Sequence, residues 1–146
     1  YAQLFTSLFR IRKIQKTYLS IVIGDIKKSK GTFNDILHHY EGVRKINSKA
    51  ITHYNVLDSN NNYSLLKLNP ITGKKHQLRK QLLIRGHPVL GDSKYRILDK
   101  RYDNKDLLML HAYKINFSID GVKYNFLAEL PSAFKKKLKE KYLKIF

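Results

Sequence analysis

The sequence predicts an α+β domain, in which hairpins build a largely antiparallel sheet and helices pack against it. Three observations point there. Two pairs of β-branched and aromatic runs each flank a short turn-forming cluster. Two other segments repeat apolar residues at helical spacing. A hydrophobic fraction of 42%, with ten Tyr and seven Phe, supplies a core to a chain of 146 residues, enough for one domain and too few for two.

The elements follow in order. Leu4, Phe5, Leu8 and Phe9 recur at helical spacing, with Arg10 and Lys13 on the other side, so residues 2–13 are expected to form a helix. Residues 16–23 are β-branched and aromatic and end at Gly24, which suits a buried strand. Residues 25–50 are polar and broken by Gly31 and Gly42, so only short strands are expected there. Runs at 51–57 and 63–68 flank Asp58-Ser59-Asn60-Asn61-Asn62 as a hairpin, and Asn69-Pro70-Ile71-Thr72-Gly73 forms a loop. Residues 76–85 suit a helix, with Leu78 and Leu82 one turn apart, Gly86 at the C-terminal glycine position and Pro88 beyond it. Residues 107–117 and 122–127 flank Ser118-Ile119-Asp120-Gly121, a second hairpin. Residues 132–145 read as a lysine-rich amphipathic helix with Phe134, Leu138, Tyr142 and Ile145 on one stripe. No repeat or linker divides the chain, so residues 1–146 are taken as belonging to one domain.

Charge gives the first functional direction. Lys and Arg number 29 against 11 Asp and Glu, a net charge of +18, and a folded domain this basic is drawn to polyanions, with counterion release favouring nucleic acid. A compositional bias towards lysine codons explains Lys in place of Arg but not the shortage of acids. No apolar run approaches the roughly 18 residues of a transmembrane helix, so no membrane span is expected. The absence of cysteine removes disulfides, thiolate metal sites and cysteine catalysis together. The six His show no tight ligand spacing, and the neighbours His38 and His39 must point apart, so no metal is expected. The first residue is Tyr1 and no secretory leader follows it. The expectation is a cytoplasmic protein in which Tyr1 marks a cut or an ordering limit within a longer chain.

The most informative stretch runs Pro70-Ile71-Thr72-Gly73-Lys74-Lys75-His76-Gln77-Leu78-Arg79, then Gly86-His87-Pro88-Val89-Leu90-Gly91-Asp92-Ser93-Lys94-Tyr95. A Thr-Gly loop delivers a helix N-terminus, with free N–H groups and a positive dipole end suited to an anion. Lys74, Lys75 and His76 stand at that mouth. Arg79 follows about one turn in, able to hold a carboxylate or phosphate through two parallel hydrogen bonds.

This stretch resembles the T-G-R-T-H-Q-I-R … G-H-P-I-x-G-D-x-K-Y signature of the RluA-type pseudouridine synthases. Further pieces match in order: Lys16-Thr17-Tyr18-Leu19 with Gly24, then Ala50, Thr52 and Tyr54, then Leu110-His111-Ala112, then Ala128-Glu129-Leu130-Pro131. The resemblance covers nearly the whole chain and is weakest over residues 25–49. It implies the pseudouridine-synthase-like fold, and isomerisation of uridine to pseudouridine in RNA without cofactor or metal. It further implies a uridine flipped from its stack into a cleft. By the same resemblance Tyr18 is the active-site tyrosine that packs on the base and takes the proton from carbon 5. Arg79 is the basic partner of the catalytic aspartate, and Lys74, Lys75, His76, Gln77 and Lys80 are expected to contact RNA. The family acts on ribosomal large-subunit RNA and on transfer RNA, and 23S ribosomal RNA is the expected substrate by analogy with relatives that carry an N-terminal RNA-binding domain.

The family's catalytic aspartate lies in an H-R-L-D-x-x-T-S-G motif ahead of the tyrosine strand, and no His-Arg-Leu-Asp occurs in these 146 residues. Arg96-Ile97-Leu98-Asp99 falls after Arg79, in the wrong order, and Asp99 is read as a loop residue. Asp25, Asp35, Asp58 and Asp92 have no better claim. Lys74 and Lys75 stand where the family usually has Arg and Thr or Ser, and Lys80-Gln81 where it has Val-His. The chain is thus expected to be the C-terminal part of a catalytic domain, inactive alone and open to self-association. The alternative is an RNA-binding remnant that has lost catalysis.

Overall fold

The computed structural model describes residues 11–97 and 107–145. The elements are β1 (Ile11–Ile23), β2 (Lys30–Glu41), β3 (Arg44–Ser59), β4 (Tyr63–Pro70), α1 (Gln77–Ile84), β5 (Leu110–Ile119), β6 (Val122–Leu127) and α2 (Ser132–Glu140). The strands form one six-stranded sheet in the order β2-β3-β4-β1-β5-β6, every neighbouring pair antiparallel.

β1 sits between β4 and β5, and its apolar run is buried on both faces. β5 begins at Leu110, opposite Ser20, which would leave the end of β1 unpaired on that side. Residues 88–90 fill the place. The Ile23 N–H donates to the Pro88 carbonyl at 2.9 Å, and the Leu90 N–H to the Ile21 carbonyl at 2.9 Å. The His-Pro-Val-Leu segment is therefore a strap that continues the sheet and satisfies backbone groups the core would otherwise orphan.

Side chains alternate across the sheet. On the front face, Tyr18, Leu68 and Tyr54 stand directly opposed across β1, β4 and β3. Helix α1 lies on this face. On the back, α2 covers the end of the sheet holding Leu19, Ile21 and Leu65, with Phe134 against His111 and the Asn60 amide donating to the Lys141 carbonyl at 2.8 Å.

Several expectations change. Residues 2–10 of the anticipated N-terminal helix lie outside the described residues, and its last three belong to β1. Over residues 25–50 the strands are long, not short: β2 has 12 residues and β3 has 16. The C-terminal helix stops at Glu140, and Tyr142 leaves the apolar stripe, 87% exposed at φ 57°. The Leu143 N–H bonds the Leu138 carbonyl and the Tyr142 N–H that of Lys139, a Schellman ending that swings Leu143 into the core in its place. α1 ends the same way through Gly86, at φ 78°, where the glycine was expected.

Candidate active site

The loop between β4 and α1 is shaped by one side chain. Gln77 opens the helix and is 4% exposed, its amide reaching back to the sheet. Its Oε1 accepts from the Thr72 hydroxyl at 2.6 Å and the Lys74 N–H at 3.1 Å. Its Nε2 donates to the Ile51 carbonyl at 3.0 Å and the Thr52 hydroxyl at 2.9 Å. Thr52 passes the chain on, donating to Gln81 Oε1 at 2.6 Å, and Gln81 Nε2 donates to the Ala50 carbonyl and the Asp35 carboxylate. Every link is buried or half-buried, so each polar group needs its partner, and the loop is fixed to β3 with the helix.

Arg79, one turn on, meets Asp92 from the end of the strap. Its Nε donates to Asp92 Oδ2 at 2.8 Å and its Nη2 to Oδ1 at 2.7 Å, a two-point pair with the Asp92 side chain fully buried. Oδ1 also accepts from the N–H groups of Lys94 and Tyr95. Four donors thus meet this carboxylate, three at Oδ1 and one at Oδ2. Burial pushes the Asp92 carboxyl up, but Arg79 and those two amides outweigh it and hold the group below its ordinary range. The Asp92 carboxylate in turn raises Arg79 above its own. The guanidinium stacks over the Tyr95 ring at 4.9 Å, and the Tyr95 hydroxyl meets His76 Nδ1 at 2.9 Å. Burial and then the charges of Arg79, Lys75, Lys94 and Lys80 lower the pKa of His76, which favours the neutral ring.

These parts border one open cleft of about 450 Å³ on the front face. Tyr18 enters it from β1 and Gln77 and Arg79 from α1, with Lys74 and His76 from the loop, and Ile14, Lys16 and Leu110 complete the lining. Tyr18 lies beside a bulge: Thr17 pairs with Lys114 but Tyr18 with Ala112, so Tyr113 is the extra residue of β5. Of the residues expected from sequence, Tyr18, Arg79, Lys74, His76 and Gln77 are brought together here, while Lys75 and Lys80 do not border the cleft. Gln77 holds the loop with all of its amide. Among the described residues no aspartate lines the cleft, and no group of three His, Asp or Glu could hold a metal ion. Asp99 lies outside the described residues. Sequence reasoning passed over Asp92 and Tyr95. Their signal was the Asp-x-Lys-Tyr spacing, which lets one carboxylate cap two following N–H groups.

An antiparallel sheet with helices on both faces and a front cleft is the architecture of the pseudouridylate synthase domains. The structure superimposes on the human RNA pseudouridylate synthase domain containing 4 protein with a TM-score of 0.78 over 98% of this chain and 66% of that one, at 23% identity. The human domain containing 1 protein gives 0.72 over 89% of this chain and 58% of the other, at 24% identity. Residues 1–83 match the profile of the RNA pseudouridylate synthase family. The ribosomal large subunit pseudouridine synthase C of Buchnera aphidicola is 37% identical over 84% of this chain and 43% of its own length, and that of Rickettsia bellii is 36% identical over 86% and 45%. An uncharacterised RNA pseudouridine synthase of Helicobacter pylori is 31% identical over 92% of this chain and 52% of its own. The chain belongs to the RluA-type RNA pseudouridine synthase family. It spans about half the length of the curated relatives it matches.

Proposed function

We propose that this chain is the C-terminal part of the catalytic domain of a cytoplasmic, cofactor-free synthase that converts uridine to pseudouridine in large-subunit ribosomal RNA. The observation that carries the reading is the meeting of Tyr18 and Arg79, from distant parts of the sequence, on the walls of one cleft. The names of the relatives from Buchnera and Rickettsia support the ribosomal substrate.

In this reading an aspartate from a segment ahead of Tyr1 enters the cleft beside Arg79. Asp92 occupies Nε and Nη2 and so aims the guanidinium, leaving Nη1 without a partner among the described residues and open to a second carboxylate. A charge-assisted bond there would keep the nucleophile ionised and oriented. The aspartate acts on the ribosyl–base bond, the freed base turns, and it rejoins through carbon 5. Tyr18, facing the base from β1, takes the proton from that carbon. Lys16 and Lys74, at the cleft, and Lys75 and Lys80, beside it, would meet phosphates.

The test uses the chain extended upstream to include an H-R-L-D segment, a 23S transcript, and tritium release from uridine labelled at carbon 5. Arg79→Ala is expected to keep RNA binding within a few-fold and lose most turnover; surviving turnover would remove Arg79 from its assigned role. Tyr18→Phe is expected to permit attack on the glycosidic bond without yielding pseudouridine. If no extended protein turns over any RNA while the chain still binds it, the remnant reading stands instead.

A further inference from the structure

The two faces of the β2–β3 hairpin differ in charge. On the front face Asp35 pairs with Arg85 at 2.6 Å, and Glu41 stands 3.7 Å from His39. The back face holds the alternate residues, and from Lys30 to Tyr40 on β2 and from Lys45 to Asn55 on β3 none of them is acidic. Across the pair, Tyr40 opposes Lys45, His38 opposes Asn47, Ile36 opposes Lys49 and Lys30 opposes Asn55. The face continues through Lys67, opposite Asn55 on β4, and Lys114, opposite Thr17 on β5. None of these five lysines has an ion-pair partner among the described residues. α2 covers only the other end of the sheet, so along β2 every back-face residue from Lys30 to Tyr40 is exposed.

This surface is cationic, free of carboxylates, and carries apolar side chains that a solvated strand would not need. Tyr40 is 68% exposed and Ile36 is 56% exposed, each directly beside a lysine. A flat ring set among ammonium groups is the pairing that holds an unpaired nucleotide, the base stacked and the phosphate neutralised. The asparagines and histidines between them add hydrogen-bonding edges. His38 is held by Asn47, and His53 by Thr32 at 2.8 Å, so the array is ordered before any ligand arrives.

We infer that the back face of the β2–β3 hairpin is a second RNA contact, taking a single-stranded segment on the side of the sheet away from the Tyr18–Arg79 cleft. It rests on the RNA reading above but not on catalysis. An RNA that fills the cleft would pass round the β2 edge and lie across this face, so the hairpin would be gripped from both sides.

The test is equilibrium binding of the chain to a fluorescein-labelled single-stranded RNA 20-mer across a salt series, with poly-aspartate as the acidic-polypeptide probe. Lys45→Glu with Lys49→Glu is expected to weaken RNA binding at least ten-fold and to reduce the slope of log affinity against log salt by about 1.4, two phosphate contacts at about 0.7 each. Lys27→Glu with Lys28→Glu, an equal charge change in the β1–β2 loop, is expected to do far less. Tyr40→Ala is expected to weaken RNA about five-fold or more and leave poly-aspartate unaffected. Should the glutamate pair disturb folding, Lys45→Gln with Lys49→Gln gives the same comparison with half the charge change. Equal losses from the hairpin and loop pairs would overturn the inference in favour of a general field. Poly-aspartate losses matching those for RNA, with Tyr40→Ala silent, would overturn it in favour of an acidic protein. Unchanged RNA affinity in the hairpin pair would overturn this site alone, whereas a wild-type chain that binds no RNA would remove the RNA reading with it.

Discussion

At the scale of single residues, the Arg79–Asp92 pair decides most. Both charges leave water, so each relies on the other, and removing one strands its partner. Asp92→Asn is expected to destabilise the domain by about 3–5 kcal/mol, read from urea unfolding, and to lower turnover of the extended enzyme by loosening the guanidinium. The pH dependence follows from the direction of the Asp92 shift. Its folded pKa lies below the unfolded value of about 4, so the stabilisation is complete above that value and is lost as pH falls through the folded pKa. The acid limb of the stability profile should therefore flatten in Asp92→Asn; an unchanged limb would show that other carboxylates dominate it. Tyr18 and Arg79 were legible from motif order. Asp92 was not, because it stands 13 residues beyond Arg79 and meets it only after the strap docks on β1.

Among the elements, the hairpins at 51–68 and 110–127 were legible because their turns are strong and their strands apolar. β2 was not. Its core face reads Phe33, Asp35, Leu37, His39, so buried apolar residues return every fourth position instead of every second. The interruption is Asp35, held by Gln81 from α1 and by Arg85 just past its end, a tertiary contact with no local sign. The same helix depends on Thr52, whose hydroxyl joins the two glutamines. Thr52→Val keeps the shape but leaves Gln77 Nε2 and Gln81 Oε1 each one bond short. The expected cost is about 1–3 kcal/mol for each group left unsatisfied, with weaker RNA binding as the 70–76 loop loosens, measured by denaturation and by titration. The end of α2 runs the other way. Tyr142 holds a left-handed conformation that glycine adopts freely and makes little contact, so Tyr142→Gly should stabilise the domain by about 0.5–1 kcal/mol. A drop in melting temperature would mean that its ring packs in solution.

For the molecule as a whole, the fold class followed from the hairpins, whereas the position of the strap and the back-face array depended on which strand neighbours which. Among the described residues the sheet ends at β6, where Val122, Phe126 and Leu127 are each more than half accessible along a strand edge that no described strand covers. Concentration-dependent association of the isolated chain in sedimentation is expected, and Phe126→Lys should suppress it; a monomer at all concentrations would refute this.

From Tyr18 to Ile23, β1 is bonded along both sides, to β4 on one and to β5 and the strap on the other. Tyr18 belongs to this strand, and Arg79 is tied to it through Asp92 and the strap. The two therefore take their positions from a common reference. Fluctuations that fray the hairpin tip or the outer strand leave that reference untouched, and only opening of the whole domain can part the pair. Backbone amides at Leu19, Ile21 and Ile23 should then be among the last to exchange with deuterium, while those near Gly42 exchange early. Substrate can deform the rim of the cleft, but the separation of its two reactive walls is set by the slowest motion the molecule has.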